Sequence, residues 1–266
     1  DLLTKTLRTT PAAPPHSGRC WLGAPNSIKG PTEAVFHRQS GNHLLIVGQR
    51  DEAALNMLAL SARALAAQYP EGSAKFYFVH SAPPGTPDAE YIAQLGEAMP
   101  HGFTEVRTPE LPALIEELAT EMKARSSGEV QADKAPAIYV FIHALHRFKK
   151  LRQEDDFRFG SSDAAADTGG QFNDLISEGS ALGIHLMATV DTFNNVNRTM
   201  NRKALSEFEM RIVFQMSAND SSSLIDTPSA STLGLHRAIF YNEQAGTLET
   251  FRPYAQPRDS WWKNGE

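Results

Sequence analysis

Residues 43–55 read His-Leu-Leu-Ile-Val-Gly-Gln-Arg-Asp-Glu-Ala-Ala-Leu. Leu44 to Val47 run without interruption into Gly48, and a helix-forming stretch begins near Glu52. A continuous apolar run closed by a glycine suits a strand buried on both faces of a parallel sheet. Strand, glycine-led loop and helix is the layout of a phosphate-binding loop, G-x-x-x-x-G-K-[ST]. There, backbone N–H groups cradle phosphates, the lysine neutralises them and the hydroxyl holds Mg²⁺. Counting from Gly48, Ala53 stands at the second glycine, Ala54 at the lysine and Leu55 at the Ser/Thr. Ala54 offers no charge and Leu55 no oxygen, while Asp51 and Glu52 bring carboxylates to where phosphate would sit. The layout is present and its chemistry is missing.

Outward from this stretch, strand and helix patterns alternate. Glu52 to Tyr69 is Ala/Leu-rich and helical, and Pro70 closes it. Lys75–Val79, Ala137–Ile142, Ile184–Thr189 and Arg211–Met216 read as strands. Asp88–Met99, Glu110–Ser126 and Phe172–Leu182 read as helices; in the second, Leu111, Leu114, Ile115, Leu118 and Met122 share a face. Ala238–Tyr241 and Thr247–Phe251 flank a turn at Asn242–Gly246, a hairpin signal. Arg158–Gln171, rich in Gly, Ser, Asp and Ala, reads as a surface loop. The alternation predicts an α/β fold with a mostly parallel central sheet flanked by helices and an antiparallel C-terminal hairpin.

The chain has 266 residues, 41% hydrophobic and 21% charged, which suffices for a substantial core. Its net charge of −6 argues against a domain that carries nucleic acid over its whole surface, though it allows a local basic groove. Cys20 is the only cysteine, so no internal disulfide forms; this fits a reducing, cytoplasmic compartment. No run approaches the roughly 18 apolar residues of a membrane span, so no membrane contact is expected of this segment. The first residue is Asp1, which reads as a piece of a longer chain. Residues 1–30 read as a linker or N-terminal arm, 31–254 as the domain and 255–266 as a tail.

Three segments in order resemble the motor domain of the FtsK/SpoIIIE/HerA family of P-loop ATPases. His43–Leu55 stands at the Walker A position and Pro136–Leu151 at Walker B. The third and most specific begins at Leu175-Ile-Ser-Glu-Gly-Ser-Ala-Leu-Gly-Ile-His-Leu-Met-Ala-Thr189. It continues through Glu209–Asp226, similar to the family's "tRIaFqvss…DSrtiLD", and Ala230-Ser-Thr-Leu-Gly234, where the family has "AekLLG". The resemblance covers roughly residues 30–252 and implies a RecA-like P-loop NTPase fold. Where the family has Asp-Glu at the end of Walker B, this chain has His143-Ala144. Val190-Asp191 replaces Gln-Arg after the sensor strand, and Ser222 replaces an arginine. Loss of every such group together implies a catalytically inactive domain with a vestigial nucleotide site at Gly48, Arg50, Asp51, Ala53, Ala54, Leu55, His143 and Ala144. No cofactor is expected; ATP and Mg²⁺ would enter only if Arg50 or a distant lysine replaced the missing one. The expected partners are other ATPase domains of a larger DNA- or protein-translocating machine, a protein substrate, and DNA through the parent assembly.

Other features carry milder readings. His143, His146 and His185 lack a matching carboxylate and read as packed or solvated rather than metal-binding. Arg147, Lys149, Lys150 and Arg152 form a basic cluster that could meet a partner or nucleic acid; Glu154-Asp155-Asp156 follows and offsets it. Asp220-Ser-Ser-Ser reads as a helix N-cap and Asn194–Arg198 as a loop. Trp261 and Trp262 would dock on a neighbour or cover an edge of this domain.

Overall fold

The computed structural model describes residues 2–152 and 167–264. The chain opens with α1 (Leu2–Leu7) and two strands, β1 (Gly18–Pro25) and β2 (Thr32–Phe36). Then come β3 (Leu44–Val47), α2 (Asp51–Gln68), β4 (Ala74–His80), α3 (Pro87–Ala98), β5 (Phe103–Arg107) and α4 (Leu111–Ser127). The central part continues with β6 (Ala137–Ile142), α5 (Thr168–Glu178), β7 (Ile184–Val190), α6 (Phe193–Thr199), α7 (Arg202–Ser206) and β8 (Met210–Val213). It ends with α8 (Ala218–Ile225), β9 (Ala238–Asn242), β10 (Thr247–Pro253) and α9 (Asp259–Asn264).

The ten strands of the described residues form one sheet in the order β2-β1-β10-β9-β8-β3-β7-β6-β4-β5. From β8 to β5 every pairing is parallel. From β8 to β2 every pairing is antiparallel. This is the expected α/β architecture. Parallel neighbours need long crossovers; α3 lies between β4 and its neighbour β5 on one face, and α5 between β6 and its neighbour β7 on the other. β3 lies in the middle with all four residues buried. Its Leu44 and Ile46 join the core beneath α2, while Leu45 and Val47 join the one beneath α4 and α5. That two-sided burial explains the unbroken apolar run.

The helix ends are chemically marked. Thr86 caps α3 by accepting from the Ala89 N–H, with Pro87 next in the first turn. Gly128 closes α4 in the left-handed region.

Several expectations need correction. The boundary at residue 30 cuts the sheet, because β1 pairs with both β2 and β10 and buries Cys20 and Leu22. Even α1 packs on α2 through buried Leu3. The antiparallel part is therefore β9 and β10 extended by β1 and β2, not a hairpin alone. The tail folds back as well: α9 packs on α3, and Trp262, 4% exposed, meets Tyr91 edge-on at 5.6 Å. Trp262 thus covers its own domain instead of offering a free docking surface, with half-buried Trp261 against it. Asn194–Arg198 lies within helix α6, capped by Thr192 and anchored by buried Val196. Ser217, not Asp220, caps α8, and Asp220–Ser223 lies inside that helix. Most of the loop read at 158–171, and the acidic run Glu154-Asp155-Asp156, fall outside the described residues.

Candidate functional site

Because β3, β6, β7 and β8 run parallel, their C-terminal ends open on one edge, where Gly48, His143, Asp191 and Phe214 follow in turn. Gly48 donates to the Val190 carbonyl at 3.0 Å, and the Phe214 N–H donates to Val47 at 3.0 Å. Gly48 has φ +149°, and a Cβ there would come within 2.7 Å of the Phe214 Cβ. Glycine is required by both the dihedral and the contact. Gly48→Ala is expected to lower unfolding stability by about 1–3 kcal/mol; a urea midpoint equal to that of the parent chain would contradict this packing.

Between β3 and α2 lie only Gly48, Gln49 and Arg50. Helical bonding begins at once: the Ala54 N–H donates to the Arg50 carbonyl at 2.9 Å. The positions that the motif assigns to the second glycine, the lysine and the hydroxyl are all inside the helix. Ala54 and Leu55 are 4% and 3% exposed and belong to the core beneath α2. They face the interior and not a phosphate. The open first turn carries the carboxylates of Asp51 and Glu52, which complement the helix dipole and repel an anion.

At the end of β6, the His143 N–H donates to the Val79 carbonyl at 2.9 Å. Its ring is 2% exposed, and neither nitrogen has a hydrogen-bond partner among the described residues. Burial pushes its pKa down to about 4, against the opposing pull of Asp88 and Asp51. A neutral imidazole at pH 7 is a poor ligand for a hard cation. Ala144 follows with φ 57°, and its N–H donates to Thr189 Oγ1 at 2.8 Å. A methyl group thus stands at the position that the sequence resemblance pairs with the family's glutamate.

The neighbouring charges are mostly consumed locally. His146 Nε2 lies 3.4 Å from Asp191 Oδ2. Arg147 reaches to 3.9 Å from Asp51 Oδ2, a half-exposed pair of small energetic weight. Arg152 donates to the His146 carbonyl at 2.9 Å, while Lys149 and Lys150 remain exposed. His185 sits near the start of β7, beside Tyr139 of β6, and donates from Nδ1 to the Asn42 carbonyl at 2.9 Å. His143 and His185 are therefore at opposite ends of the sheet. Among the described residues no group of three or more His, Cys, Asp or Glu could hold a metal ion. Arg50, the candidate substitute for the lysine, lines with Glu52 and Ala53 a cavity of about 310 Å³ that extends to Phe214, Arg252 and Tyr254. Sequence reading gave no signal for that cavity, because its walls come from stretches far apart in the chain.

No protein-family model matches the chain, and no curated protein matches it. Solved structures do. The conjugation coupling protein TcpA of pCW3, in a monomer form with ATPγS, superimposes with a TM-score of 0.64 at 15% identity; the match covers 91% of this chain and 67% of that one. The cytoplasmic domain of the type VII secretion ATPase EccC of Thermomonospora curvata gives 0.63 at 14% identity, over 93% of this chain and 30% of that one. Its ATPases 2 and 3 with a signal sequence peptide give 0.65 at 14% identity, over 94% and 44%. This chain thus spans between about a third and two thirds of the length of these three structures. The chain has the fold of the FtsK/SpoIIIE-type P-loop motor ATPase domains.

Proposed function

We propose that this domain does not hydrolyse ATP and serves a structural, regulatory or partner-binding role within a larger translocating ATPase. The observation that carries this is the burial of Ala54 and Leu55 inside α2, at the positions of the phosphate-binding lysine and the Mg²⁺-binding hydroxyl. The acidic first turn and the neutral, buried His143 support it from two further sides. Phosphoryl transfer needs phosphate cradle, metal ligands and water-orienting group together, and none of the three has its residue here. Similarity to parts of a conjugation coupling protein and a secretion ATPase supports other ATPase domains as neighbours. The EccC complex with a signal sequence peptide makes a polypeptide segment a reasonable partner; DNA would be engaged by the parent assembly. No described helix is long and apolar enough to cross a membrane.

Steady-state phosphate release with millimolar Mg-ATP tests the reading. The expected result is no turnover above the buffer rate. Turnover of about 1 s⁻¹ or more, within the ordinary range of enzymes, would overturn it.

A further inference from the structure

The start of α2 and the end of β10 enclose the cavity of about 310 Å³. Its lining mixes three chemistries. Phe214, Leu235 and Tyr254 supply apolar and aromatic surface, Arg50 and Arg252 supply two guanidinium groups, and Glu52 supplies one carboxylate. Neither arginine side chain forms an ion pair or hydrogen bond with another described residue. Leu235 is 61% exposed, a large apolar side chain held at the rim.

The walls are fixed to the rest of the fold. The Tyr254 carbonyl accepts from Asn56 Nδ2 at 2.8 Å, and Asn56 Oδ1 accepts in turn from the Tyr91 hydroxyl at 2.5 Å. The Tyr254 N–H donates to the Leu22 carbonyl at 3.2 Å. Phe214 is held through its bond to Val47. A concave site, already formed, in which apolar surface stands beside convergent polar groups fits a small amphipathic ligand.

Size and charge define the ligand class. Pockets for drug-sized ligands begin at about 300 Å³, so one ring or branched side chain with its polar head fills this one. Two arginines against Glu52 leave one net positive charge, which suits a monoanion and disfavours a polyphosphate. The guanidinium fork matches a carboxylate bidentately.

We propose that this cavity binds a small amphipathic carboxylate, its apolar or aromatic group on Phe214, Leu235 and Tyr254 and its carboxylate held by Arg50 and Arg252. The site goes beyond the non-hydrolysing reading and does not depend on it. The carboxylate can belong to a free organic acid or to the end of a polypeptide.

The test is protein-observed NMR titration of the full chain with 3-phenylpropionate, N-acetyl-phenylalanine and the corresponding amides. Saturable shifts of Arg50, Phe214 and Tyr254 amides are expected with both carboxylates, at least tenfold weaker with the amides. Tighter binding of N-acetyl-phenylalanine assigns the site to a chain end; tighter binding of 3-phenylpropionate assigns it to a free acid. Arg252→Gln, at an exposed position of β10, and separately Arg50→Gln, should each weaken binding about tenfold, while Lys149→Gln should leave it unchanged. Equal binding of the amides, or unaltered binding in both arginine variants, would overturn the proposal. So would tighter binding of AMP at the same residues. Mg-ATP hydrolysis by the same sample would count against the proposed function alone.

Discussion

Ala54→Lys combined with Leu55→Thr, which restores two motif side chains in sequence, is expected to give no ATP binding and a protein less stable by about 3–6 kcal/mol. In a working loop these positions face the phosphates and the metal. Here helical bonding from Arg50 to Ala54 has already begun, and both side chains enter the core beneath α2. Replacing Leu55 removes buried apolar volume and adds a hydroxyl, which costs about 2–4 kcal/mol on the scale of large-to-small core changes. A lysine at Ala54 must bring its stem through packed surface to reach water with its ammonium. The neighbouring positions share partners, so the two losses will not add strictly. Urea unfolding with parallel calorimetry checks both halves. Micromolar ATP affinity with an unchanged midpoint would mean that α2 can slide to form a proper loop, and that two substitutions suffice to undo the loss.

Acid should destabilise this domain between about pH 6.5 and 4, earlier than carboxylate titration alone would. Burial holds the pKa of His43 down at about 4, that of His143 at about 4 and that of His185 at about 3, from an ordinary 6.5. For His43 the hydrogen bonds show why. Nε2 donates to the Ile176 carbonyl at 2.9 Å and Nδ1 accepts from the Leu186 N–H at 2.9 Å. A second ring proton has no acceptor and would displace that backbone donor. Between the two pKa values the unfolded chain binds more protons than the folded one, so stability rises with pH there. The stabilising contribution is complete above the unfolded value and is lost as pH falls through the folded one. Each histidine contributes a slope of up to about 1.4 kcal/mol per pH unit, roughly 4 for the three together. Domain stabilities are of order 5–15 kcal/mol, so the fold should be lost near pH 4–5. His143→Leu should remove about a third of the slope. A urea midpoint that stays flat from pH 7 to 5 would contradict the burial of these rings.

The parts of the fold legible in the sequence are those where burial leaves a pattern. Leu44–Val47 and Ala137–Ile142 are buried throughout and read as continuous apolar runs. The helix read from Glu52 to Tyr69 lies within one residue of α2. β5 was illegible because it is an edge strand: of Phe103–Arg107 only Val106 is buried, so no alternation or run announces it. β1 and β2 sit among Pro and Gly; β1 is held by pairing to β10, far away in sequence, and β2 by pairing to β1. α6 is rich in Asn and is kept helical by its Thr192 cap and Val196, which override weak propensity. At the site, residue identities alone announced the missing lysine, hydroxyl and acids. The shortened loop, the inward direction of Ala54 and Leu55, and the return of Trp262 onto α3 depend on tertiary packing, which spacing does not encode.

The proposed role of this domain requires an empty nucleotide site. Isothermal titration of the purified chain with Mg-ATP, and separately with Mg-ADP, at millimolar nucleotide addresses it directly. No heat beyond dilution is the predicted result for both. Saturable binding in the micromolar range would contradict it and would require another residue to take the place of Ala54 against the phosphates.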